Sequence, residues 1–179
     1  MTEEKKEKWL NYLALTTVIL AVCATLSTFK GGGYSTRSVL SQSQASDQWA
    51  YYQSKSIKGY LYELQKEKFE LELRAADSRT KKILGEDYEK RIEAYSRKIK
   101  KYDEEKAGIE KDAKVLESLR DDAQKHSNAF GMAVIFLQIA ILLSSIAALL
   151  KKKTVWIFGL VTGVLGLVYF ANGFWQFIP

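Results

Sequence analysis

Three long blocks of this sequence contain no Asp, Glu, Lys or Arg: Trp9 to Phe29, Ala129 to Leu150 and Val155 to Ile178. Each reaches the ~20 residues with which a helix crosses a hydrocarbon layer of about 30 Å. A bilayer offers no water to unpaired backbone groups, so such blocks are expected to be helices. Charged residues make up 27% of the chain, yet nearly all of them fall between the first and second blocks. The only proline is the last residue, and so no proline interrupts a helix.

The first block has features of a cleaved leader, with lysines before it and "LAVC" around Cys23. The apolar run continues through Phe29, however, and "MTEEKKEK" is as acidic as it is basic, so a retained span is expected. Cys23 is then a small apolar residue, since a lone cysteine has no internal disulfide partner.

Orientation rests on "LLKKKTVW", where Lys151, Lys152 and Lys153 fill a very short loop. Positive charge in short loops marks the cytoplasmic side. With three spans the N-terminus shares that side, consistent with Lys5, Lys6 and Lys8. Residues 30–128 are then expected to be periplasmic. Lys30, Arg37 and Lys125, close to the spans on that side, pull against this assignment.

In the charged middle, Tyr88, Ile92, Tyr95, Ile99, Tyr102, Lys106, Ile109, Ala113 and Leu116 alternate in steps of four and three. This spacing draws one seam along a helix, with Lys106 as an interruption. Upstream, Ile57, Tyr60, Leu61, Leu64 and Leu71 trace a second stripe, expected to face the first. "ADSRTKK" and Gly85 separate the two patterns and mark a turn. An antiparallel helical hairpin follows, each arm extending roughly 65 Å if helical throughout.

The fold class expected is therefore an all-α membrane protein with a coiled-coil hairpin inserted between its first two spans. Its segments are an N-terminus over 1–8, spans over 9–29, 129–150 and 154–179, and a loop over 151–153. A Gly/Ser-rich neck over 30–46 leads into the hairpin over 47–128, whose tip lies near 77–86. The neck, "KGGGYSTRSVLSQSQ", is expected to be irregular, with Ser46 or Asp47 capping the next helix.

On the first arm a second face, with Tyr51, Lys55, Lys58, Tyr62, Lys66, Phe69 and Leu73, lies roughly 150° from the aliphatic stripe. If that stripe meets the second arm, this aromatic and basic face has no cover within the chain. Tyr62 and Phe69 are accordingly candidates for a contact between copies or with another protein.

No catalytic constellation is legible. His126 and Cys23 are the only residues of their types and stand about a hundred positions apart, excluding a zinc cluster or a Cys/His nucleophile within one chain. "KGGGYSTR" lacks the spacing of a phosphate loop. No base-stacking module accompanies the net charge of +6, so nucleic acid is not an expected partner. No cofactor, metal or enzymatic activity is expected. The spans carry no ionisable residues to mark an ion path, and Gly159, Gly163 and Gly166 form a small-residue face for helix packing. The reading is a homo-oligomeric scaffold in the lipid bilayer; the alternative is an oligomeric channel or transport accessory lined by span hydroxyls and amides.

With "QASDQWAYYQSKSIKGYLYELQ" and, far downstream, "FLQIAILLSSIAALLKKKTVWIFGL", nearly the whole chain resembles a family of small bacterial inner-membrane proteins, domain of unknown function forty-three thirty-seven. The resemblance implies an envelope protein with this arrangement of spans. It supplies no activity, and points to Asp47, Gln48, Trp49, Tyr51, Tyr52 and Gln53 as residues of interest.

Overall fold

The computed structural model describes residues 2–178, with side chains from Lys8 onward, so the side chains of Lys5 and Lys6 and the whole of Pro179 lie outside the described residues. The chain forms three helices: α1 (Thr2–Ala75), α2 (Ser78–Leu150) and α3 (Lys153–Trp175). Among the described residues there is no strand. Each helix contains a stretch long and apolar enough to cross a membrane.

The irregular neck is not found. α1 runs as helix through residues 30–46, no glycine has positive φ, and neither Ser46 nor Asp47 begins a helix. Tertiary packing overrides the low helix propensity of this segment. A Cβ on Gly31 would lie 3.0 Å from the Cβ of Phe130, so this glycine permits close approach rather than bending. Ser127 Oγ donates to the Gly31 carbonyl at 3.2 Å, and Ser38 Oγ donates to Gln124 Oε1 at 3.2 Å.

The helical path breaks at Ala76 and Asp77. Asp77 Oδ1 accepts from the Thr80 backbone N–H at 2.8 Å, the geometry of an N-cap on α2. Bonds from Thr80 hold the Asp77 carboxyl below its ordinary range, because they favour the ionised form. Gly85 lies within α2. The second break is tighter: Lys151 adopts φ 51°, Lys152 is extended, and α3 begins at Lys153.

The chain packs as two units, one of residues 1–40 with 119–179, the other of residues 41–118. In the first, α2 offers a face of small residues, and Leu20 and Ala24 of α1 form a core with Ala133, Leu137 and Ala140. Gly159, Gly163, Gly166 and Gly173 of α3 are buried. A Cβ on Gly166 would come within 2.8 Å of Leu137 Cγ, and one on Gly173 within 2.6 Å of the Phe130 ring. These two glycines are what allows α3 so close to α2.

His126 ties this unit together near the end of α3. Its ring stacks on Tyr34 of α1, with centroids 4.5 Å apart. Its Nδ1 lies 2.7 Å from the Gly173 carbonyl. A carbonyl only accepts, so Nδ1 carries the proton. Gly173 is among the last residues of α3, whose final carbonyls have no partner within the helix.

Candidate interaction surface

In the unit of residues 41–118, contacts between α1 and α2 run in opposite chain directions. Trp49 Nε1 donates to Glu117 Oε1 at 2.9 Å, and Lys55 Nζ lies 2.7 Å from Glu105 Oε2. Tyr62 stacks on Tyr102 and meets Tyr95, with centroids 5.8 and 5.5 Å apart. Phe69 stacks on Tyr95 and meets Tyr88, at 5.7 and 5.6 Å. Each step up α1 meets an earlier turn of α2.

On α2 the side chains turned inward are those picked out by spacing: Tyr88, Ile92, Tyr95, Ile99 and Tyr102 are half-buried, and Ile109 and Ala113 are buried. Lys106, the interruption, keeps only 19% of its side chain exposed, with Nζ 2.7 Å from Asp103 Oδ1. That contact raises the Lys106 pKa above the usual lysine value. Tyr88 is raised too, first by burial and then by the Glu72 carboxylate.

On α1 the expectation is reversed. Ser41, Ala45 and Gly59 are buried, and Gln48, Tyr52, Lys55, Tyr62, Lys66, Phe69 and Leu73 are half-buried. These residues alternate in steps of four and three and form the face that meets α2. The aliphatic stripe expected there is instead open: Ile57 is 52% exposed, Tyr60 60%, Leu61 56%, Leu64 61% and Leu71 61%. Tyr62 and Phe69 are therefore not uncovered contacts for another copy, because the tyrosines of α2 cover them.

The reason is chemical complementarity. A tyrosine-rich seam accommodates rings and cations better than aliphatic side chains, because aromatic faces attract both. Lys98 Nζ stands 4.6 Å from the Tyr62 ring centroid, and Lys55 Nζ 5.1 Å from that of Tyr51 and 5.6 Å from that of Tyr102.

Of the motif residues, Trp49 and Tyr52 face α2 and touch edge to face with centroids 5.6 Å apart. Gln48 is half-buried beside them, while Asp47, Tyr51 and Gln53 are exposed. The motif thus divides between the α2-facing side and solvent. Among the described residues, no group of three His, Cys, Asp or Glu is placed to hold a metal ion. Sequence reasoning missed Ser41, Ala45 and Gly59 on the α1 seam and Gly173 on α3; for the seam, the alternation of four and three from Ser41 to Leu73 was the available signal.

Three long helices, each with an apolar stretch of membrane-crossing length, define an all-helical chain with three candidate spans. The chain belongs to the family described as Domain of unknown function (DUF4337), whose model matches residues 9–176. No curated protein and no solved structure matches it.

Proposed function

We propose that this protein is a homo-oligomeric scaffold of a bacterial inner membrane. Residues 41–118 act as an antiparallel coiled-coil hairpin outside the cytoplasm, and copies associate through the aliphatic stripe of α1. The ladder from Trp49–Glu117 to Phe69–Tyr88 supports the hairpin. The lysines at 151–153 support the orientation.

One observation carries the oligomer. α1 turns its more polar face toward α2 and leaves Ile57, Leu61, Leu64 and Leu71 more than half exposed. Burying such a side chain contributes about 1.5–3 kcal/mol, so a row of them facing water is a standing drive toward association. A second copy presents the same row and suits an isologous contact. The channel alternative draws less support, because Thr16, Thr17, Thr25, Ser27, Thr28, Ser145 and Thr162 spend their hydroxyls on carbonyls of their own helices.

The test is the mass of the full chain in detergent, by light scattering, with Leu61→Glu and Leu64→Glu combined. Dissociation to monomers is expected; an unchanged multimer removes the stripe as the contact, and a monomeric wild type removes the scaffold. Ion flux in liposomes separates the alternative, since a scaffold is silent.

A further inference from the structure

Gly32 and Gly33 stand where nothing in this chain requires a glycine. Both lie inside α1, without positive φ. A Cβ built on either meets nothing within 4 Å, unlike Gly31 beside Phe130. Glycine in a helix interior is less favourable than alanine, and two adjacent bare positions leave the α1 backbone open to approach from outside.

What flanks them narrows the user. Lys30 and Arg37 are seven residues apart, nearly two full turns, and therefore share a face with Gly33 between them. Both are exposed, and among the described residues neither is paired with a carboxylate. The surface there is a shallow, open depression of about 640 Å³ bordered by Phe29, Lys30, Gly33 and Arg37. Phe29, 78% exposed, closes the apolar run that begins at Trp9. The hollow thus has an apolar lip toward the candidate span and two cations beyond it.

We infer that this hollow binds the phosphodiester headgroup of an anionic membrane lipid. Lys30 and Arg37 hold the phosphate, the missing side chains of Gly32 and Gly33 admit it to the helix surface, and an acyl chain runs along Phe29. A second copy is a poorer occupant, because an isologous contact sets Lys30 and Arg37 against their own like charges. The inference also gives a reason for cations that run against the charge bias of the proposed orientation. It rests on reading Trp9–Phe29 as a membrane span.

The experiment is native mass spectrometry of the full chain in mild detergent, offered equal phosphatidylglycerol and phosphatidylcholine with the same acyl chains. Preferential retention of phosphatidylglycerol is expected. Lys30→Gln with Arg37→Gln should lower it roughly 30-fold, taking about 1 kcal/mol per basic residue. Gly33→Leu should lower it with no change of charge, and its side chain enters open space, so the fold survives. Lys30→Arg with Arg37→Lys should retain binding.

Equal retention of the two lipids, or unchanged retention in both the charge and glycine variants, overturns the site. So does displacement by inorganic phosphate beyond that caused by sodium chloride of equal ionic strength, which assigns the hollow to a soluble anion. A chain that stays monodisperse without detergent sinks the membrane reading itself, whereas one that needs detergent but shows no lipid preference sinks only this site.

Discussion

Lys55 Nζ lies 2.7 Å from Glu105 Oε2, an ion pair on the inward face of both helices, with side chains 15% and 32% exposed. The contact is close but not well aligned for a hydrogen bond. In a two-helix element solvent is never more than a side chain away, and the pair is screened accordingly. The contact lowers the Glu105 pKa and raises that of Lys55. A lowered carboxylate stabilises the fold above its unfolded pKa, and the contribution is lost as pH falls through the folded value. A raised lysine contributes fully below its unfolded value and loses that contribution as pH rises through the folded one. Glu105→Gln should therefore melt earlier than wild type at neutral pH, by circular dichroism, and the difference should close in acid and again in strong alkali. A difference independent of pH would show that shape, not charge, sets the effect.

The aromatic ladder gives a second expectation. Tyr62→Ala and Phe69→Ala each remove ring contacts with α2 and should destabilise the helical pair by about 1–2 kcal/mol. They should leave the mass of the assembly unchanged at temperatures where the helices persist. Variants that lose mass while keeping full helicity would place these rings between copies after all.

Two helical glycines should respond with opposite signs. Gly173→Ala drives a methyl into the Phe130 ring and should cost about 1–3 kcal/mol. Gly32→Ala meets open space in a helix and should gain about 0.5–1 kcal/mol. Denaturation in detergent, followed by helical signal, reads both.

The role of His126 separates into stacking and hydrogen bonding. His126→Phe keeps a ring against Tyr34 but removes the donor to the Gly173 carbonyl. The expected loss is about 1 kcal/mol, with faster amide hydrogen exchange confined to the last turn of α3. Exchange spread evenly over α3 would point to a packing fault instead.

The inward face of α2 was readable from spacing because Tyr88 through Leu116 combine one period with mostly apolar chemistry. α1 was not, since two of its faces carry the same period. Counting aliphatic residues favours Ile57, Leu61, Leu64 and Leu71, but the partner's surface is aromatic, and rings with lysines suit it better. Periodicity identifies a stripe; only the chemistry opposite tells which stripe is turned inward. The neck misled for a related reason. Its glycines and serines have poor helix propensity, yet Gly31 against Phe130 and Ser38 beside Gln124 are contacts with residues almost a hundred positions away, which no local pattern encodes.

Lys151 occupies a left-handed backbone position with φ 51°, where glycine would rest without strain. A lysine held there carries backbone strain that a glycine would not. Under the proposed orientation, Lys151→Gly would therefore relax the bend between α2 and α3 while removing one of the three charges that argue for a cytoplasmic loop.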